Sequence, residues 1–273
     1  LPWKKLLEPA ISLAEEGFLP AKILVDDIHN SLNWFGDKTN FKTYFGSIKV
    51  NEQFKQPELA KTLKRIAKYG MDDFYRGKTA DLIVEQMSKS NGLITKTDLD
   101  KYEAIWREPL RAKWREYEII SSPPPSSGGF AVIQLLKMKD YLAHLFDGAG
   151  HNSPQYIHLV AEMEKRVFAD RAEYLGDPDF YDTNISTLIS DEYIANRALE
   201  VNPDSISTLK GVHPGLESPN TTHYSIVDQW GNAVSNTYTI NWNYGSGVVV
   251  EGAGFLLNNE MDDFSAKPGV PNI

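Results

Sequence analysis

Leu6, Leu7, Ala10, Ile11, Leu13 and Ala14 fall on the stripe of a 3.6-residue period and predict a helix over residues 4–16, stopped by Gly17. Amphipathic stretches predict further helices near 20–34, 57–69 and 73–88, that over 57–69 entered through Pro57 and halted by Gly70. Residues 36–56 are aromatic and polar without a period, and read as irregular. Ile105, Trp106, Tyr117, Ile119 and Ile120 suggest two short strands within 105–120. Pro123-Pro-Pro-Ser-Ser-Gly-Gly129 then breaks the pattern, because its prolines fix the backbone and its glycines admit a neighbouring chain. Helices follow over about 129–145 and 186–199. Between them, one opened by Ser153 as N-cap and Pro154 as first residue runs to about Leu175.

Residues 202–220 are polar and rich in proline and glycine, and read as a mobile surface segment. Beyond them the period changes from helical to alternating. Thr222 to Asp228 alternates, Gln229-Trp-Gly-Asn232 is a turn, and Ala233 to Ile240 alternates again, which predicts a β-hairpin. A glycine-bearing turn at Gly245 and Gly247 and an apolar run from Val248 to Glu251 follow. The fold class is α+β, with a mainly helical first part and a β-rich last part.

Composition narrows the chemistry. The 273 residues carry 28 Lys+Arg against 37 Asp+Glu, a formal net charge of −9, and no cysteine. An acidic balance speaks against nucleic-acid binding. Without cysteine there is no disulfide scaffold, thiolate metal site or thiol nucleophile. No apolar run approaches the ~18 residues of a membrane span, and no leader pattern precedes the first helix. The chain opens on Leu1 within a helical pattern and stops at Pro268-Gly-Val-Pro-Asn-Ile273 without a cap, so these residues are expected to be part of a longer protein.

No HExxH, GxSxG or P-loop motif is present, and the six histidines are scattered. Two polar clusters remain. Asn220-Thr221-Thr222-His223 joins the polar segment to the first predicted strand. It reads either as a linker entering a sheet or as a nucleophile, since a threonine hydroxyl attacks when a base sits beside it. Were the chain opened before Thr221, its own α-amine, with a pKa of about 7.7–8.0, would be that base. Spacing does not choose between these readings. Asn258-Asn-Glu-Met-Asp-Asp263 packs three carboxylates and two amides into six residues. It is either a solvated acidic turn or an acceptor-rich wall for a substrate ammonium group. The spacing and central glycine of a calcium loop are absent.

Across nearly its whole length the chain resembles the γ-glutamyltranspeptidases, or glutathione hydrolases. The resemblance rests on Leu13-Ala-Glu-Glu-Gly-Phe18, Gly92-Leu-Ile-Thr95, Pro123 to Gly129, Asp170-Arg-Ala-Glu-Tyr-Leu-Gly-Asp-Pro-Asp-Phe180 and Thr221-Thr-His-Tyr-Ser225. It continues through Asp228, Gly231-Asn-Ala-Val234, Thr237-Tyr-Thr239 and Leu257-Asn-Asn-Glu-Met-Asp-Asp-Phe264 on to Asn272.

The resemblance implies an N-terminal nucleophile hydrolase with an αββα sandwich, here a truncated portion of it. It implies a precursor that cuts itself between Asn220 and Thr221. Residues 1–220 would then be the C-terminal part of the large subunit, and residues 221–273 the N-terminal part of the small one. Thr221 matches the nucleophile, and Thr239 the threonine that hydrogen-bonds it. Asn241, Glu260 and Asp263 match residues holding the α-amino and α-carboxylate ends of a glutamyl group. Implied partners are glutathione and other γ-glutamyl compounds, amino acid or peptide acceptors, and the other subunit; no cofactor or metal is implied. The implied compartment is periplasmic or extracellular. A related amidohydrolase, such as a β-lactam acylase, and a non-catalytic binding domain are the alternatives.

By the same resemblance, the arginine for the substrate carboxylate precedes these residues. The serine pair and the oxyanion-hole glycines follow Ile273, and the loop beginning at Pro268 is cut short. Loss of one oxyanion-hole donor costs about 10²–10³ in rate in a well-studied hydrolase. The 273 residues alone are therefore expected to turn over γ-glutamyl anilides at least a hundredfold more slowly than the full-length protein, which a side-by-side assay checks.

Overall fold

The apolar stripes become helices wherever they are long. The structure, a computed structural model, describes residues 1–208 and 221–263. Helices α1 (Trp3–Glu16) and α2 (Lys22–Phe35) turn Ala14, and Val25, Ile28 and Phe35, inward. Residues 36–56 are not wholly irregular: α3 (Phe41–Phe45) forms there because its two end residues, a turn apart, both enter an aromatic cluster. Phe41 lies 4.9 Å from Phe35 and 5.0 Å from Tyr244, ring centre to ring centre. Helix α4 (Pro57–Tyr69) has Pro57 in its first turn and Gly70 as its stop, as the pattern predicts.

The helix expected over 73–88 is instead two, α5 (Met71–Tyr75) and α6 (Lys78–Ser90). Asp73 is buried and accepts from the Arg65 guanidinium at 3.3 Å and from the Thr79 hydroxyl. The break at Arg76 and Gly77 is what lets Thr79 fold back onto that carboxylate. Helix α7 (Lys96–Lys101) is too short to show a period; its signal is the capping box of Thr95 and Asp98.

Strands β1 (Leu110–Trp114) and β2 (Tyr117–Ser121) pair antiparallel, with Leu110 opposite Ser121. Ile105 and Trp106, expected in the first strand, lie outside it. Helix α8 (Gly128–Tyr141) starts where Gly129 meets the end of β2: a Cβ there would lie 2.2 Å from the Ser122 carbonyl oxygen. The helix expected to reach 145 breaks at Leu142 and resumes as α9 (Ala143–Phe146). Helix α10 (Pro154–Tyr174) is capped as predicted, the Ser153 hydroxyl accepting from the Tyr156 N–H at 3.2 Å. The helix expected over 186–199 is split into α11 (Ile185–Leu188) and α12 (Asp191–Leu199), because Ser190 caps a new start by accepting from the Tyr193 N–H at 3.3 Å.

Strands β3 (Thr222–Val227) and β4 (Ala233–Tyr238) form the predicted second hairpin, with Thr222 opposite Tyr238 and Val227 opposite Ala233. The Asn232 side chain and the N–H groups of Trp230 and Asn232 converge on Asp228 in the turn and hold its carboxyl below the usual range.

The chain divides into two compact units. The first draws its described residues from Leu1–Ala104 and Ser218–Glu260, the second from Ile105–Glu217 and Met261–Ile273. In the second unit, Phe130, Ile133, Leu159, Val167, Leu188 and Ile194 form an apolar core. Buried charges lie beside it. Arg197 pairs with Asp170 at 3.0 Å, and Gln134 donates to Asp170 at 3.2 Å and to the Leu188 carbonyl at 2.9 Å.

Glu162, fully buried, accepts from Lys165 at 2.5 Å, from Arg166 at 2.7 Å and from both the N–H and the hydroxyl of Ser207. The segment read as mobile therefore starts anchored; its remainder, residues 209–220, lies outside the described residues. Burial alone would raise the Glu162 pKa. The bonds from Lys165, Ser207 and Arg166 outweigh that and set it at about 2, below the ordinary 4.5. A carboxyl lowered on folding stabilises above its unfolded pKa and loses that contribution as pH falls through the folded one. Between pH 4.5 and about 2 the parent protein should therefore lose more unfolding free energy than its Glu162→Gln variant, a difference that denaturant midpoints taken across that window would measure.

Candidate active site

The apolar run after the second hairpin is a buried loop, not a strand. Val249 and Val250 point opposite ways into the two apolar clusters of the first unit, one built on α2 and α3, the other on α6 and α7. A buried backbone must satisfy its polar groups. Here helix and loop side chains do so. Asn40 bonds Val249 twice, donating to its carbonyl and accepting from its N–H, each at 2.8 Å. Gln86 accepts from the Glu251 N–H at 3.2 Å, Glu58 accepts from the Gly252 N–H at 2.9 Å, and Thr62 donates to the Ala253 carbonyl at 2.8 Å.

The chain then doubles back. Val250 N–H bonds the Phe255 carbonyl at 2.9 Å, Leu257 N–H the Val248 carbonyl at 2.9 Å, and Ser246 N–H the Leu257 carbonyl at 3.0 Å. Gly245 permits this closure: its φ is +52°, and a Cβ would lie 2.2 Å from the Leu257 carbonyl oxygen.

Doubling back joins the exit of β4 to the predicted acidic cluster. Asn259 N–H donates to the Ile240 carbonyl at 3.3 Å, Asn241 Nδ2 to the Asn259 carbonyl at 3.2 Å, and Trp242 N–H to Asn259 Oδ1 at 3.1 Å. Asn241 is buried in the left-handed region, with φ at 71°. Its N–H donates to Thr239 Oγ1 at 2.9 Å. Glu260 follows at the head of a short 3₁₀ turn, Glu260–Asp263, its N–H donating to Asn258 Oδ1 at 3.0 Å.

Thr221 immediately precedes β3 and is exposed. The ladder ends at the pair of Thr222 and Tyr238, so Thr221 and Thr239 are the residues immediately beyond it on the two strands. The structure thus brings Thr221, Thr239, Asn241 and Glu260 to one end of the hairpin within one unit. It places Asp263 in the 3₁₀ turn, while Asn220 lies outside the described residues. Among the described residues no three His, Asp or Glu side chains converge to hold a metal ion.

Sequence reasoning missed the residues that fix this loop. The Tyr244 hydroxyl donates to Asp27 Oδ2 at 2.6 Å, and Asn243 Nδ2 reaches the same carboxylate at 3.4 Å. Burial, then the bond to Asp27, pushes the Tyr244 phenol above its usual range. Trp242 packs on Trp34 at 5.7 Å. Asp27 and Trp34 both belong to α2, more than two hundred residues earlier, and no local pattern announces such a pairing.

One threonine thus immediately precedes an antiparallel hairpin, a second immediately follows it, and the second bonds an amide-lined turn. The chain belongs to the γ-glutamyltranspeptidase family, whose model matches residues 1–273. It is 57% identical over 272 residues to a glutathione hydrolase proenzyme of Pseudomonas aeruginosa, covering all of this chain and 49% of that one. The chain spans about half the length of the curated relatives it matches.

Among solved structures it resembles a γ-glutamyltranspeptidase from Pseudomonas nitroreducens complexed with L-DON. The TM-score is 0.75 at 52% identity, over 80% of this chain and 65% of that one. It also resembles a cephalosporin acylase from Bacillus halodurans, with a TM-score of 0.84 at 27% identity, over 100% of this chain and 50% of that one. The N-terminal nucleophile hydrolase fold read from the motifs is the fold these neighbours share, present here in part.

The left-handed turn at position 241 makes a testable demand on its residue. Asn241→Gly and Asn241→Ala both lose the amide, but only alanine meets the steric cost of that conformation, about 1–2 kcal/mol. The alanine variant should be the less stable by a free energy of that size, read from denaturant unfolding curves.

Proposed function

We propose that the full-length protein hydrolyses glutathione and transfers γ-glutamyl groups, with Thr221 as nucleophile. The observation that carries this reading is the position of Thr221 at the head of β3, at the same end of the ladder as Thr239, whose hydroxyl accepts from the Asn241 N–H. Cleavage between Asn220 and Thr221 gives Thr221 a free α-amine, close to half neutral near pH 7.7–8.0. That amine takes the hydroxyl proton as Oγ attacks the γ-carbonyl carbon. The C–N bond breaks, the proton passes to the departing amine, and a γ-glutamyl ester remains on Thr221. Water or an acceptor amine then attacks the ester and restores the hydroxyl. Thr239 orients the nucleophile. Asn241, Glu260 and Asp263 hold the two charged groups on the glutamyl α-carbon, where a carboxylate is the natural acceptor for an ammonium. Residues 1–220 and 221–273 would belong to the large and small subunits of a mature heterodimer. By analogy with the family, the protein acts in the periplasm or outside the cell. Among the described residues no helix is long and apolar enough to cross a membrane.

A second reading, a β-lactam side-chain acylase, draws on the likeness to the cephalosporin acylase. The two differ in what they ask of Glu260 and Asp263, because a glutaryl side chain lacks the α-ammonium of a γ-glutamyl group.

The experiment uses the full-length protein. On incubation it should separate into two chains, the smaller beginning at Thr221. Thr221→Ala should stay intact and lose turnover by at least a thousandfold, as nucleophile removal does in a comparable hydrolase. γ-Glutamyl anilides and glutathione should be used in preference to glutaryl amides. Preference for the glutaryl compounds would favour the acylase, and cleavage or turnover undiminished in Thr221→Ala would overturn the nucleophile assignment.

A further inference from the structure

The two faces of the β3–β4 hairpin differ. Side chains alternate across an antiparallel pair, so Tyr224 and Ile226 share one face with Val234 and Tyr238. The opposite face carries His223 and Ser225 with Ser235 and Thr237, and Thr221 and Thr239, each one residue beyond the last pair, follow in the same alternation. One imidazole stands in the middle of this row of hydroxyls. His223 Nδ1 lies 2.6 Å from Thr237 Oγ1, directly across the ladder. Its Nε2 lies 3.2 Å from Ser235 Oγ and 3.3 Å from Ser225 Oγ. Both ring nitrogens are thus engaged, and the ring binds hydroxyls of both strands.

Exposed hydrogen bonds of this kind add little to stability, because water competes for every partner. The arrangement instead controls geometry. Thr221 and Thr239 stand just beyond the last pair of the ladder, two residues or about 6.6–6.8 Å along the strands from His223 and Thr237. That is too far for the ring to touch the nucleophile, but near enough to set how the two strands lie beside it.

We propose that His223 is a positioning residue for Thr221, acting through Thr237 to hold the spacing and alignment of β3 and β4 at the pair next to the nucleophile. The proposal rests on the assignment of Thr221 made above. Its effect falls on orientation: misplacing a reacting group by about 1 Å can cost up to a hundredfold in rate. It leaves the residues that grip the substrate in place.

The test uses the full-length protein and γ-glutamyl anilide, with autocleavage followed on gels and turnover measured on the cleaved enzyme. His223→Ala should slow both reactions roughly ten- to a hundredfold, with KM within about twofold of the parent. His223→Asn, which can still reach Thr237 from the Nδ1 position, should recover most of the loss. Thr237→Val should reproduce the His223→Ala defect, and the double variant should be no worse than either single one. If His223→Ala does not fold, the Thr237→Val and His223→Asn arms carry the same comparison. Rates within twofold of the parent in His223→Ala or Thr237→Val would overturn the proposal. So would equal losses in His223→Ala and His223→Asn, or additive losses in the double variant. These outcomes are separable from failure of the nucleophile assignment, which shows only in Thr221→Ala.

Discussion

Everything near the candidate site depends on how one stretch of buried backbone satisfies its hydrogen bonds. Within residues 248–254, Val249, Val250 and Ala253 are fully buried, yet the stretch joins no sheet. A chain in that position would leave polar groups stranded, each at a cost of about 1–3 kcal/mol. Asn40, Gln86, Glu58 and Thr62 remove that cost by presenting side-chain amides, a carboxylate and a hydroxyl where a neighbouring strand would otherwise be. Asn40 does this most fully, because its amide offers a donor and an acceptor side by side, as a peptide group does. With the backbone satisfied, Val249 and Val250 can bury in opposite directions and join two apolar clusters.

From that anchor the geometry of the site follows in order. The held stretch doubles back at Gly245 and Leu257, which brings Asn259 against Ile240 and Asn241. The Asn241 turn is then fixed from the other side by Tyr244 on Asp27 and Trp242 on Trp34, so helix α2 reaches the site through two residues of the loop. Thr239 and the hairpin leave from this fixed point. A polar site on irregular chain can be held in one arrangement only when its neighbours are so constrained, and here the constraint comes from helices, the more rigid partner.

Long periodic segments were legible in the sequence because their signal is local. The stripe of α1, the Ser153-Pro154 entry to α10 and the alternation of β3 and β4 each lie within about a dozen residues. The misses share a cause as well. The break between α5 and α6 answers to a buried carboxylate at Asp73, the short α3 to an aromatic cluster completed by Tyr244, and the start of α12 to a single serine cap that interrupts an otherwise continuous pattern. At the site, Thr221, Thr239, Asn241 and Glu260 came from motifs, and the hairpin leaves the first two at the same end of its ladder. Asp27, Trp34 and Asn40 could not be read in this way. Their partners lie some two hundred residues along the chain, and neither propensity nor spacing links residues at that separation.

The composition of the first unit has a consequence for the life of the molecule. Its core joins helices from the first hundred residues to the loop at 244–257, so a cut between Asn220 and Thr221 would leave that core built from two polypeptides. Contacts formed while the chain was continuous would become contacts between separate polypeptides. Folding happens once, as a unimolecular event. Afterwards the cleaved protein, if unfolded, would have to find its other half by diffusion, and its recovery would depend on concentration. Such a protein endures by unfolding slowly more than by refolding well, and its working lifetime is set by a rate.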